Sequence, residues 1–270
     1  MRLQLMKLLG IILLLAGLVV GLVPGAGAEE DGGSIADHVV ISEIQADSVA
    51  GSGGTTDDWI ELYNPTSQSI NLATGNYRIE KTQTASDPSI VMRIGDPNDG
   101  SYPGGTIIPA RGFYLIVRDD ASAELRAKAD AIGTKDTFTW TGNGYTLYLG
   151  TGPISSDQDA DIVDKVGFGP EASYYEGSGP APEIPEGKSI QRKVSETTNE
   201  DGTHGPGWDS DNNSADFFVQ DSPNPQNSGS KPLPPVPELP TIILVFLGLL
   251  LLGGYIWLKR RRKSGELLSC

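Results

Sequence analysis

The chain holds one cysteine in 270 residues, Cys270 at its C-terminus. No disulfide can form within it, so whatever folds must be held by core burial. Histidine is nearly as scarce, with only His38 and His204. The first begins a strand-like run and the second lies in a glycine-rich loop. Neither has sequence neighbours that would complete a zinc site or a Ser-His-Asp triad. There is no metalloprotease helix motif and no nucleophile elbow. Gly187-Lys188-Ser189 echoes a phosphate loop, but Pro182 occupies the position of its first glycine. No catalytic residue is singled out, and none for a cofactor. Positive charge is also short: 20 Lys and Arg stand against 35 Asp and Glu, a net of −15. Between Glu29 and Pro240 the imbalance is 34 acidic to 13 basic residues, or −21. Such a surface repels phosphate backbones and disfavours nucleic-acid partners. It suits divalent cations, basic partners or simple solvation.

Apolar runs stand at the two ends. Arg2 and Lys7 precede an uninterrupted apolar stretch from Leu8 to Val23, and Ala26-Gly27-Ala28 supplies small residues for cleavage before Glu29. Residues 1–28 therefore read as a signal peptide, with an uncleaved signal anchor as the alternative. Thr241 to Leu258 carries no charge and is followed by Lys259, Arg260, Arg261, Arg262 and Lys263. That pattern predicts a single transmembrane helix over 241–258, an external domain and a basic cytoplasmic tail over 259–270. Cys270 in that tail forms no prenylation box and reads as an ordinary residue.

Between the ends, β-rich runs recur among Gly, Pro, Asn and Asp clusters. Strands are expected at Val39–Ile44, Trp59–Tyr63, Tyr77–Ile79, Ile90–Ile94, Phe113–Val117, Phe138–Trp140, Tyr145–Leu149, Ile162–Val166 and Phe217–Val219. Along Trp59–Tyr63, residues 59, 61 and 63 share one face and 60 and 62 the other. The alanine-rich Asp120–Ala131 predicts one short helix, with Asp120 as N-cap and Gly133 as a stop. Five prolines in Asn227–Pro240 favour an extended polyproline stalk over 229–240. The expected fold class is all-β.

Asp157, Asp159 and Asp161 alternate as ligands of one hard cation do, which makes them a candidate Ca²⁺ site. Ile162 and Phe168 replace the glycine and glutamate of an EF-hand loop. Asp209, Asp211 and Asn213 form a second, weaker cluster with the same defects. The competing reading for both is turn formation through Asx bonds to the backbone. Asn212-Asn213-Ser214 is the one usable glycosylation sequon, with Asn212 as acceptor, because Pro65 blocks Asn64-Pro65-Thr66.

The opening Val40-Ile41-Ser42-Glu43-Ile44, then Asp58-Trp59-Ile60-Glu61-Leu62-Tyr63-Asn64-Pro65 and Ile70-Asn71-Leu72, resemble the lamin tail domain. So do Ile107-Ile108-Pro109-Ala110-Arg111-Gly112-Phe113-Tyr114, Asp161 to Gly169, Gly187 to Arg192, and the closing Asp209 to Phe217 with Ser222-Pro223-Asn224-Pro225. The resemblance covers residues 37–228. It implies an immunoglobulin-like β-sandwich of the kind found in exported prokaryotic proteins, usually a companion of catalysis and not its source. Val236-Pro237-Glu238-Leu239-Pro240-Thr241 is similar to prokaryotic sorting tails, in which a membrane enzyme removes the helix. A plain membrane anchor is the alternative.

These features together imply a cell-surface, non-catalytic interaction or adhesion module. Its partner would be a protein or glycan, and its membrane contact the C-terminal helix. A structural envelope component and a carboxylate-dependent hydrolase are the alternatives.

Overall fold

The computed structural model describes residues 33–46, 57–84, 88–237 and 248–257. Among the described residues, fifteen strands form two main sheets, of seven and four strands, and two two-stranded pairs; two short helices lie in the same domain. The larger sheet contains β2 (Val40–Gln45), β3 (Trp59–Tyr63), β7 (Gly100–Ser101), β9 (Phe113–Arg118), β10 (Ala131–Gly133), β13 (Ser189–Arg192) and β15 (Phe217–Gln220). Its order is β15-β13-β2-β3-β9-β10-β7. Every pairing in it is antiparallel except the parallel β9–β10 pair. The smaller sheet contains β5 (Arg78–Thr82), β6 (Ser89–Arg93), β11 (Tyr145–Gly150) and β12 (Ile162–Phe168), in the order β12-β11-β5-β6. Two-stranded pairs close the ends: β1 (Ser34–Ile35) with β14 (Trp208–Asp209), and β4 (Ile70–Asn71) with β8 (Ile107–Ile108).

The two sheets share one core. Ile41, Ile44, Ile60, Leu62, Tyr114, Ile116 and Ile190 face it from the larger sheet, and Ile79, Met92, Leu147, Leu149 and Val166 from the smaller. This is the expected all-β sandwich, and period-2 alternation is what places these side chains inward. A register shift between Ile41 and Glu43 on β2 lets Ile41 and Ile44 both point inward. The same bulge turns Val40 and Glu43 to the outer face.

Both faces of the larger sheet are covered. The β3 residues Trp59, Glu61 and Tyr63 point away from the shared core, yet all five residues of the strand are buried. Trp59 packs with Leu115, Val117 and Leu125 in one outer cluster, and Tyr63 with Val40, Phe113 and Leu233 in another. A strand that alternates in sequence is thus buried throughout, because the chain lays a third layer over it.

Several expectations are corrected. The helix α1 runs Ala123–Lys128 and not 120–131, and its N-cap is Ser122, whose hydroxyl accepts from the Leu125 amide. Ala129 is already extended, and the chain then enters β10. Pairing of β10 with β9 therefore overrides the alanine-rich helix propensity of its first residues. Phe138–Trp140 forms no strand; the two rings pack at 4.3 Å in the core from irregular backbone. The chain turns at 227–230, where the Ser230 amide bonds the Asn227 carbonyl at 2.9 Å, and residues 231–237 form no regular element; Leu233 is docked on the sandwich where a free stalk was expected. The helix α2 (Asn213–Asp216) was not anticipated.

The single-pass membrane location is also corrected. Among the described residues no helix is long and apolar enough to cross a membrane. Of the apolar run 241–258 the described part is 248–257, helical and exposed. At about 1.5 Å per residue those ten residues reach only about half the hydrocarbon thickness. The rest of that run, the signal segment 1–28, the basic tail 259–270 and residues 238–241 of the sorting motif lie outside the described residues.

Candidate functional site

The most heavily charged place in the sandwich surrounds Arg192, the last residue of β13. Its side chain is fully buried, so each guanidinium N–H needs an acceptor. Nη2 donates to both oxygens of Asp164, at 2.8 and 3.0 Å. Nε donates to the Ile41 carbonyl at 3.1 Å, and Nη1 to the Trp208 carbonyl at 3.2 Å. Nη1 also pairs with Asp209 at 3.1 Å, while Asp216 lies at 3.9 Å. The Phe217 ring covers the guanidinium at 4.7 Å. Asp164 accepts in turn from the Ile41 amide at 2.6 Å. The facing carboxylates push the arginine further up, against its burial.

Beside this hub, Glu176, Asp209 and Asp211 bring carboxylate oxygens within 4.8 Å of one another. Asp211 is held there at a positive φ of 50°. Burial, reinforced by Asp164, pushes Glu176 up to about 9, and burial with Asp209 raises Asp211. Three hard oxygens at this spacing have the donor chemistry of a Ca²⁺ site. Each also has work in the fold. Asp209 is bound to Arg192, and Glu176 accepts from Asn213 at 3.0 Å. The neighbouring Asp216 gathers the Ser210 and Asn212 amides, at 3.0 and 3.2 Å. The arrangement shapes the loop around a buried cation that is already present, Arg192.

The first candidate cation cluster is organised differently. Asp159 accepts from the Ser155 amide and hydroxyl, at 3.0 and 2.6 Å, and from the Asp161 amide at 3.0 Å. Those bonds draw its carboxyl down to about 2. Asp157 lends its carbonyl to Lys165, and Asp161 its own to Thr151. Among the described residues, the carboxylates that lie close enough together to share an ion are those of Glu176, Asp209 and Asp211. Asn212, the sequon acceptor, caps α2 in position, and its side-chain oxygen accepts from Ser214 at 2.8 Å and from Ser178 at 3.3 Å. His204 is bound to Asp201 at 2.6 Å, and His38 lies 3.7 Å from Asp209.

The sequence did not reveal a second set of carboxylates, on the outer face of the larger sheet. Glu43 and Glu61 are direct cross-strand partners on β2 and β3. Glu61 accepts from the Ser42 hydroxyl and the Gln226 amide, both at 2.7 Å. Glu43 accepts from the Ser189 hydroxyl and the Asn224 amide. Asp130 accepts from the Ser228 amide at 2.8 Å and the Leu115 amide at 2.9 Å. Alternate backbone amides of one segment, at 224, 226 and 228, thus meet three carboxylates in turn. The segment ends with the Leu233 amide on the Arg111 carbonyl at 2.8 Å. The Tyr63 hydroxyl donates to the Leu233 carbonyl at 2.6 Å, and the Gly205 amide to that of Pro234 at 2.9 Å. A Glu on a strand face looks solvated in sequence; the later segment that covers it is 160 or more residues away, and no local pattern predicts it.

A family model described as Lamin Tail Domain matches residues 34–169. The matched span ends before Arg192 and before the segment that crosses Glu43 and Glu61. Among solved structures, a DUF4876 family protein from Bacteroides thetaiotaomicron is similar at 12% identity with a TM-score of 0.47, over 73% of this chain and 74% of that one. No curated protein matches.

Proposed function

The chain belongs to the lamin tail domain family, and from that membership and its geometry we propose that it is a non-catalytic interaction module. The observation that carries this reading is the use to which its buried acids are put. Glu43 and Glu61, buried and opposed across two strands, accept from backbone amides and serine hydroxyls beneath a covering segment. Asp164 and Asp209 are tied to Arg192. A general acid or base needs reach to a substrate proton, and with the covering segment in place these groups are engaged by their own chain.

The partner would be a protein or a glycan. The strongly acidic composition disfavours nucleic acid and favours a basic or cation-bridged surface. Cross-linking of the full chain in the cells that produce it, with identification of the linked species, tests the proposal. A defined protein or glycan recovered reproducibly supports it. A hydrolytic activity of the purified chain that disappears in Glu61→Gln overturns it.

A further inference from the structure

Two carboxylates lie side by side beneath a layer that is not part of any sheet. Glu43 and Glu61 oppose each other on β2 and β3, with exposures of 1% and 0%. Like charges directly opposite on neighbouring strands repel, and burial sharpens the repulsion. The layer above them is the segment 224–234, which contributes no strand. It is attached by backbone amides on the carboxylates, by the Asn227 side chain on the Lys128 carbonyl at 2.7 Å, and by the seating of Leu233.

We infer that residues 224–234 form a latch that lifts from the larger sheet when Glu43 and Glu61 are both ionised and stays shut while the two share a proton.

The competition between terms sets the direction. Amide and hydroxyl donors favour the ionised carboxylates, whereas desolvation and mutual repulsion favour the neutral ones. Burial is the larger influence on both: Glu43 is pushed up to about 7, and Glu61 is raised well above the usual carboxylate range, with Glu43 adding to its rise. The other ionisable group acting on Glu43 is Glu200, also acidic. Further along the groove, burial raises Asp130, and Tyr114 beside it is raised by burial and by Asp130. Full ionisation can be relieved by admitting water. The ladders of β2, β3 and β9 cannot part without unfolding the sandwich, but the segment above them can lift. Opening uncovers an acidic groove lined by Glu43, Glu61 and Asp130, with an apolar seat of Val40, Tyr63 and Phe113 at its end. Its chemistry fits an extended chain presenting amides at alternate residues and one aliphatic side chain. The latch does not depend on the interaction-module reading.

Site-resolved hydrogen exchange of the full chain over about pH 6 to 9 tests the inference, with rates corrected for intrinsic base catalysis. Protection at the Gln226 and Ser228 amides should fall by up to about tenfold per pH unit once opening is linked to loss of one proton, while β3 and β9 keep theirs. Glu61→Gln and Glu43→Gln should each abolish that fall and leave the latch shut at the alkaline end. Leu233→Ala, which spares the carboxylates, should lower protection at 226 and 228 at every pH. Protection at 226 and 228 that follows β3 at all pH values would overturn the inference, as would an alkaline fall that persists in both glutamine variants.

Discussion

Arg192 of the larger sheet grips Asp164 of the smaller sheet with both carboxylate oxygens, at 2.8 and 3.0 Å. Neither side chain is more than 1% exposed. In a sandwich without cysteine this pair joins the two layers. Its bonds to the Ile41 amide and carbonyl tie a third strand to the same junction. The ion pair need not add net stability, since burying two charges costs about as much as their attraction returns. What it fixes is which strands face each other.

That distinction predicts an asymmetry. Asp164→Ala leaves a buried guanidinium short of its main counter-ion and should destabilise the domain by about 3–5 kcal/mol. Removing both charges together, in Arg192→Met with Asp164→Leu, should cost clearly less than Asp164→Ala alone. Urea unfolding of the single and double variants checks this. A double variant at least as unstable as Asp164→Ala would refute the clamp.

The sequence revealed the sandwich but not what covers it. Strands β3, β9, β11 and β12 were read within a few residues, because alternation or β-branched runs mark them directly. The strand β10 was hidden inside an alanine-rich stretch, since a three-residue strand beside a six-residue helix leaves too short a window for either period. Asp159 did turn out to make Asx bonds to its own loop, which alternate spacing alone could not separate from ligation. The third layer was illegible for another reason. Proline spacing over 229–240 suggests an extended stalk but is silent on docking, which depends on Val40, Tyr63 and Phe113 far upstream.

The buried acids also set the response to pH. An ordinary glutamate has a value of 4.5, and here Glu43 is pushed up to about 7 and Glu176 up to about 9 by burial. Between 4.5 and those values the unfolded chain has lost protons that the native chain retains, so stability falls as pH rises through that window. Lys81, lowered to about 8 by burial, has the opposite sign but acts only above that value. The thermal midpoint should therefore decline from about pH 5 to about pH 7, and Glu176→Gln should flatten the decline. A midpoint that rises across this interval contradicts the assignment.

Docking of Leu233 should be measurable separately from the core. Leu233→Ala removes a half-buried aliphatic group from the seat formed by Val40, Tyr63 and Phe113. The expected loss is about 1–2 kcal/mol, below the range for a fully buried leucine. Tyr63→Phe removes the hydroxyl that donates to the Leu233 carbonyl, for about 1 kcal/mol. The two residues share one contact, so the double variant should lose less than the sum. Proteolysis between 224 and 237 should accelerate in both single variants before the sandwich itself becomes susceptible. Equal susceptibility of the segment and the sandwich would show that they open as one unit.

Gly205, in the loop before β14, lies against the Tyr63 ring. A Cβ built there would lie 2.2 Å from the Tyr63 ring, inside any tolerable contact. The same glycine gives its amide to the Pro234 carbonyl, so a side chain at 205 would act on both the ring and the covering segment. Tyr63 cannot easily yield, because its ring packs on Phe113 at 5.1 Å and its hydroxyl is engaged by Leu233. Gly205→Ala should therefore destabilise by about 1–3 kcal/mol through overpacking, although alanine normally restricts the unfolded chain and stabilises. Pairing it with Tyr63→Leu, which vacates the ring, should recover part of that loss relative to Tyr63→Leu alone. Chemical denaturation of the four forms measures the coupling; strict additivity would mean that the glycine is needed for some reason other than this ring.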